Sequence, residues 1–168
     1  MKITLYNGSS IDGFVAKNDG DTDWVADSKA FEQKCKEAGC VFIGRKTYDF
    51  DYDYFKEIKD FFIIVLTSEK DREPKQENVV FVNSVEEAVE KAQEKGFENV
   101  ILGGGGGVNF SFLDAQLVDE IILSVHPLIL GKGIKLFEGY EVHVKLELTD
   151  VNKLSEGLVH LKYNVKKE

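Results

Sequence analysis

Proline is nearly missing from this chain: Pro74 and Pro127 are its only two. No repeat, low-complexity tract or linker-like stretch interrupts the rest, so residues 1–168 read as one domain. Cysteine is as scarce. Cys35 and Cys40 are too few for a disulfide framework, and their spacing is neither C-x-x-C nor a zinc knuckle, which leaves two inert thiols. Long apolar runs are absent too. The longest, Phe61 to Leu66, falls far short of the roughly 20 residues of a spanning helix. The N-terminus turns polar at Asn7, too early for the apolar core of a signal peptide. The expectation is a cytosolic protein with no membrane partner. Positive charge is short as well. A net charge of −9 disfavours a nucleic-acid partner but leaves room for an anionic small molecule held by a local basic patch.

Metal and hydrolase signals are also wanting. The runs Asp19–Asp23 and Asp49–Asp53 begin like calcium loops but lack the glycine at the sixth position and the glutamate at the twelfth. His126, His143 and His160 fall on separate expected strands without a second ligand at metal spacing, and read as core or surface histidines. No G-x-S-x-G element or Cys–His pairing supplies a hydrolase nucleophile.

What is present alternates. Ile3 to Tyr6 reads as a first strand, followed by a long Gly/Ser/Asn/Asp-rich loop from Asn7 to Asp23, a length at which loops are often functional lids. Phe31, Cys35 and Ala38 repeat at helical spacing and predict a helix from about Ser28 to Ala38, with Asp27 as N-cap and Gly39 as stop. Cys40–Ile43, Phe61–Leu66, Val79–Val82 and Asn99–Leu102 read as strands. Ser84-Val85-Glu86-Glu87 is a capping box opening a second helix. A short helix should follow the glycine run at 103–107. Asp119 to Leu130 reads as a strand region broken near Pro127. Val142–Thr149 and Val159–Val165 alternate as an antiparallel hairpin. The class is α/β, a mostly parallel sheet with helices on both faces and a C-terminal antiparallel hairpin at one edge.

Three strand ends carry candidate chemistry. Gly103, Gly104, Gly105, Gly106 and Gly107 cost much entropy on folding, and they stand between a strand and a helix. Backbone approach and free N–H groups there suit a pyrophosphate. The run is neither a Walker loop, which needs Gly-Lys-Ser/Thr where Gly107-Val108-Asn109 stands, nor a G-x-G-x-x-G, whose last glycine would fall at Val108. Gly44-Arg45-Lys46-Thr47 gathers two cations and a hydroxyl at a second strand end, the equipment for a phosphate. Leu66-Thr67-Ser68, with Lys70 and Arg72 beyond, is the third. Ligands of α/β sheets sit beyond the carboxyl ends of strands, and the three ends together point to a dinucleotide. Asp12 caps a turn or helps cover a ligand. Asp27 is either a solvated N-cap or a buried acid at a pocket mouth.

Asp12-Gly13-Phe14-Val15-Ala16, Asp23-Trp24, Gly44-Arg45-Lys46-Thr47-Tyr48, the glycine run, Leu117-Val118-Asp119-Glu120 and Pro127 to Phe137 come in an order that resembles the dihydrofolate-reductase-like superfamily. Within it, the nearest likeness is to the reductase domain of the bifunctional riboflavin-biosynthesis deaminase-reductase and its free-standing bacterial relatives. The resemblance covers nearly the whole chain. It implies an eight-stranded mixed sheet, the dihydrofolate-reductase-like fold, and an NADPH-dependent reductase passing hydride to a pyrimidine- or pterin-like heterocycle. That activity is similar to 5-amino-6-(5-phosphoribosylamino)uracil reductase. It assigns Val15 and Ala16 to the nicotinamide side, Arg45, Lys46 and Thr47 to the phosphates including the adenosine 2′-phosphate, Leu66, Thr67 and Ser68 to the adenosine, and Gly104 to Val108 to the pyrophosphate. Trp24, Asp27 and Tyr48 become substrate candidates and Asp27 the candidate catalytic acid, by likeness to the stretch carrying the pterin-binding carboxylate of dihydrofolate reductases. The proline-rich substrate loop of the folate enzymes is missing, and so is a zinc-binding deaminase domain. The resemblance further implies a homodimer. Dihydrofolate reductase itself, a non-catalytic NADP(H)-binding module and an ATP-using transferase are the rival readings.

Overall fold

Apolar runs that cannot face water on either side must lie in the middle of a sheet, and the chain builds one around them. The structure, a computed structural model, describes residues 1–154 and 157–167. In chain order these form β1 (Lys2–Ser10), β2 (Phe14–Ala16), α1 (Ser28–Ala38), β3 (Cys40–Gly44), α2 (Arg45–Phe50), α3 (Tyr52–Phe55), β4 (Phe62–Leu66), β5 (Val79–Val82), α4 (Val85–Glu94), β6 (Asn99–Gly104), α5 (Gly106–Asp114), β7 (Glu120–His126), β8 (Ile134–Lys135), β9 (Leu146–Lys153) and β10 (Val159–Val165). Eight strands pair in the order β5-β4-β3-β6-β1-β7-β10-β9. All neighbours from β5 to β7 are parallel, and β10 runs antiparallel to both β7 and β9. This is the mixed sheet with an edge hairpin that the sequence predicts. β2 and β8 form a separate two-stranded antiparallel ribbon.

Helices cover both faces. On one, Leu5, Phe42, Ile64, Leu102 and Phe112 pack with Ala88 and Ala92 of α4. On the other, Tyr6, Val41, Ile43, Ile63 and Val65 pack with Cys35 of α1 and with Tyr48 and Phe55 of α2 and α3. Strands buried on both faces explain the near-continuous apolar runs of β3 and β4. Local signals set the helix ends. α1 stops at Gly39, whose positive φ of 78° lets its N–H reach the Cys35 carbonyl. At α4 the Ser84 hydroxyl accepts the Glu87 N–H at 3.1 Å, while the Glu87 carboxylate returns to the N–H of Asn83, one residue before the cap.

Several expectations give way. β1 does not end at Tyr6: Asn7 to Ser10 continue the strand, paired with Leu123 to His126. Polar, β-poor residues are held there by tertiary pairing, with Ser9 and Ser10 buried and their hydroxyls hydrogen-bonded. The expected seventeen-residue loop therefore shrinks to a turn at Ile11–Gly13, the strand β2 and the segment 17–27. The strand region expected over Asp119–Leu130 is broken where Pro127 predicts, at His126, and 127–130 add no strand after it. The first strand of the hairpin starts four residues late, at Leu146 rather than Val142, and runs on to Lys153. A bulge opposite Lys162/Tyr163 absorbs one residue, so Leu146, Leu148 and Val151 all oppose the alternating Val165, Tyr163 and Leu161 of β10. Of the loop joining β9 to β10, Ser155 and Glu156 lie outside the described residues. Among those described, no helix is long and apolar enough to cross a membrane.

Candidate active site

Strand order alone brings the three predicted ends together, since β4, β3 and β6 are neighbours. Gly44 and Leu66 are register partners. A Cβ on Gly44 would stand 2.9 Å from Val108 Cγ2 and 3.6 Å from the Gly105 nitrogen, and one on Gly105 would stand 3.6 Å from Thr47 Oγ1. Gly44, Thr47, the glycine run and Val108 thus form one wall. Thr67 follows, buried, its hydroxyl accepting the Glu69 N–H at 3.0 Å and its carbonyl accepting Asn83 Nδ2 at 2.8 Å. Lys46 and Ser68 are exposed.

The glycines divide by what surrounds them. Gly103 makes room for the Phe31 ring, which a Cβ would meet at 2.9 Å. Gly104 has a positive φ of 92° and joins Gly105 through a cis peptide. Gly106 is pressed by the Lys135 carbonyl, which would overlap a Cβ there outright. Gly105 has only Thr47 near it, and Gly107 has nothing within 4 Å. Open space therefore remains at the first turn of α5, whose N-cap, Gly105, makes no side-chain capping bond. First-turn N–H groups with a positive dipole end behind them suit an anion. At the base of the run, Asn109 is fully buried and donates to Asn7 Oδ1 at 2.7 Å and to the Leu136 carbonyl at 2.9 Å, while Asn7 donates to the Gly103 carbonyl at 3.0 Å.

Arg45 opens α2 rather than a free loop, and it is not a lone cation. Its guanidinium lies 3.2 Å from Asp49 and 3.3 Å from Glu69, and Arg72 reaches the same two carboxylates. Arg72, then Arg45, hold the Asp49 carboxyl below the usual carboxylate range. Val15 and Ala16 lie on β2 against β8, where Gly133 passes so close that a Cβ on it would overlap the Ala16 carbonyl. Asp12 pins this ribbon by accepting the Ser10 hydroxyl at 2.7 Å and the N–H groups of Leu130 at 3.1 Å and Gly131 at 2.7 Å. The Ser10 bond foremost holds its carboxyl below the ordinary range. It is the turn-capping reading of Asp12 that the geometry shows.

Across β1 from the glycines sits a buried acid. Asp27 precedes α1 but makes no side-chain cap; its backbone carbonyl takes the N–H groups of Ala30 and Phe31. The side chain, 5% exposed, turns inward instead. Oδ2 accepts the Tyr6 hydroxyl at 2.8 Å and His160 Nε2 at 3.1 Å. Burial first, then the Asp27 charge, push the Tyr6 phenol well above its ordinary value, so it remains a donor. His126 Nε2 accepts the Ala26 N–H at 2.9 Å, which puts the ring proton on Nδ1, 2.9 Å from the Ser124 carbonyl. Asp27 Oδ1 stands 3.6 Å from that same Nε2, beyond hydrogen-bond reach. Trp24 packs edge-on to His126 at 5.2 Å, and among the described residues neither its buried indole N–H nor the buried hydroxyl of Ser124 has a partner. Ser124 pairs with Gly8 on one side and His160 on the other. Two such buried donors, both on neighbours of His126, ask for a polar guest.

Of the substrate candidates, Trp24 and Asp27 therefore both adjoin His126, while Tyr48 lies elsewhere. It is a core residue stacked on Phe55, with its hydroxyl on Gln76 at 2.9 Å. The sequence reading missed Tyr6, Asn7, Ser124 and Asn109, and took His126 and His160 for plain core or surface histidines. The two histidines could be found only through the pairing of β7 with β10, which sets His160 opposite Ser124. Among the described residues, no group of three His, Cys, Asp or Glu side chains could hold a metal ion.

Comparison with known proteins agrees with this architecture. YwjB, an uncharacterized protein of Bacillus subtilis, is 30% identical over 170 residues, covering 94% of each chain. The deaminase/5-amino-6-(5-phosphoribosylamino)uracil reductase of Thermotoga maritima superposes with a TM-score of 0.79 at 22% identity, over 98% of this chain and 56% of that one. A dihydrofolate reductase of Enterococcus faecalis, complexed with NADP(H), superposes with a TM-score of 0.77 at 21% identity, over 99% and 97% of the two chains. The fold is therefore the dihydrofolate-reductase-like one. The model of the RibD C-terminal domain matches residues 1–160, and this chain belongs to that family.

Proposed function

We propose that this protein is an NADPH-dependent reductase that delivers hydride to a pyrimidine- or pterin-like heterocycle. The observation that carries the reading is a juxtaposition. An open, glycine-lined wall at the ends of β3, β4 and β6 is joined through Gly103, Phe31 and Tyr6 to the buried Asp27 carboxylate. The residues present fit a dinucleotide: Gly105 and Gly107 leave backbone exposed to a pyrophosphate, Thr47 adds a hydroxyl, and Arg45, Lys46 and Arg72 supply positive charge. The NADP(H) bound by the E. faecalis enzyme and the reductase activity named for the T. maritima protein support it. When bound, the nicotinamide supplies the hydride. The chain's own residues do the rest. The proton that completes the reduction comes from solvent by way of the Asp27 carboxyl, which accepts a hydrogen bond from an N–H edge of the heterocycle. The Trp24 N–H and the Ser124 hydroxyl offer donors to its carbonyl or ring nitrogens, and Tyr6 and His160 fix the carboxylate.

Calorimetric titration with NADPH, followed by NADPH-oxidation assays with dihydropterins and aminopyrimidines, tests the reading. Binding with turnover supports it, binding without turnover leaves only the cofactor module, and no binding removes both. Arg45→Ala should weaken NADPH about tenfold and NADH less than about twofold, because only the former loses a phosphate partner. Equal losses would remove Arg45 from the 2′-phosphate.

A second copy of the chain is proposed as partner. Among the described residues, the outer edge of β9 is unpaired, and every residue of the strand is exposed, with Leu146, Leu148 and Val151 between 41% and 53%. The wild type should elute as a dimer in light-scattering chromatography and Leu148→Lys as a monomer; a monomeric wild type would discard the idea.

A further inference from the structure

The two arginines beyond the ends of β3 and β4 are balanced one for one. Arg45 and Arg72 face Asp49 and Glu69, and each arginine touches both acids. Arg72 also lies 4.6 Å above the Phe81 ring, which fixes its plane. The cluster is reachable by a ligand. Arg72 and Asp49 line a depression of about 300 Å³, and Arg72 and Glu69 line a second of about 170 Å³. Among the described residues, neither Lys46 nor Lys70 pairs with Asp49 or Glu69, so the two arginines alone hold these acids.

Dinucleotide sites tell their two cofactors apart with two kinds of group. A carboxylate accepts hydrogen bonds from the free ribose hydroxyl of NAD(H) and repels a phosphate there, whereas a guanidinium fork takes the 2′-phosphate of NADP(H). This cluster holds both kinds at once, already paired to each other. A 2′-phosphate that takes the forks of these arginines competes with the carboxylates for their N–H groups and lies beside two negative charges. A 2′-hydroxyl can donate to Asp49 or Glu69 with the ion pairs intact.

We propose that Asp49 and Glu69 are specificity-determining residues that compete with the 2′-phosphate for Arg45 and Arg72, so that this protein binds NADH nearly as well as NADPH. The inference rests on the dinucleotide reading above and goes beyond it, since that reading names NADPH alone. It also locates the preference in two acids rather than in the arginines, so the acids are where it can be changed.

The experiment is calorimetric titration of the full chain with NADPH and NADH in parallel, on the wild type, Asp49→Asn, Glu69→Gln and the control Asp53→Asn. Asp53 lies on α3 in an exposed pair with Lys56 and touches neither arginine. The expected wild-type affinities differ by less than about tenfold. Asp49→Asn, and to a lesser degree Glu69→Gln, should move the ratio toward NADPH by at least about fivefold, through tighter NADPH binding and not through loss of NADH alone. The control should leave it unchanged. A wild-type preference above tenfold, or a ratio that Asp49→Asn leaves unchanged or lowers, overturns the proposal while leaving the dinucleotide reading intact. Binding of neither cofactor to the wild type overturns the dinucleotide reading and this inference with it.

Discussion

Replacing Asp27 with asparagine lowers the rate of heterocycle reduction by about two to three orders of magnitude, the range expected on losing a positioned proton-transfer group, and leaves NADPH affinity within about twofold. The substitution is chosen for what it keeps. An asparagine side chain has the same shape, and its carbonyl can still accept the Tyr6 hydroxyl and His160 Nε2 that now converge on Oδ2 of Asp27. What it loses is negative charge and the capacity to hold a proton. Asp27→Leu is the contrasting case. It strands the Tyr6 hydroxyl and the His160 N–H in a site where the side chain was 5% exposed, so it should also cost about 3 kcal/mol of stability in urea titration. If Asp27→Asn keeps the full rate, the acid only orders Tyr6 and His160, and the proton reaches the substrate by another route. A rate loss in Asp27→Leu alone, matched by its loss of fold, would carry the same meaning.

How far the sequence could be read follows from which interactions are local. α1 was legible to the residue because its start, stripe and stop are all carried by adjacent residues, from Ser28 to the left-handed Gly39. β3 and β4 were legible because strands buried on both faces can only be continuous apolar runs. The strand ends that form the glycine wall were legible for the same reason, since punctuation by Gly, Thr and Ser marks where an apolar run stops. What escaped was decided mostly by partners far along the chain. Asn7 to Ser10 look like a loop until β7 pairs with them. Asp27 looks like a cap until Tyr6 from β1 and His160 from β10 reach it. Arg45 looks like a free cation until Glu69, at the end of the next strand, takes up part of its charge. The site errors thus share one cause: type and order of residues show which groups exist, whereas pairing register decides which of them meet.

The five glycines allow that distinction to be tested within a single run. Gly106→Ala should destabilise the protein by about 3 kcal/mol, the upper end of the cost of overpacking. Its new methyl group would overlap the Lys135 carbonyl and stand 2.9 Å from Glu138 Cγ. A backbone carbonyl cannot swing aside as a side chain can, and the same segment is held in place by the Glu138 N–H bond to the Gly106 carbonyl at 3.0 Å. Gly107→Ala, one residue on, meets nothing within 4 Å. Inside α5 it should stabilise the free protein by up to about 1 kcal/mol, because alanine gives up less backbone entropy than glycine on entering a helix. If the open space at this turn is where a pyrophosphate lies, that methyl group occupies it, and NADPH affinity should fall by about tenfold even as the melting temperature of the free protein rises. Thermal denaturation with and without NADPH reads both effects on the same samples. Opposite signs for stability and affinity in Gly107→Ala would mark a glycine kept for a ligand, beside one kept for packing in Gly106→Ala. If Gly107→Ala binds NADPH as tightly as the wild type, the pyrophosphate does not approach the chain at that position.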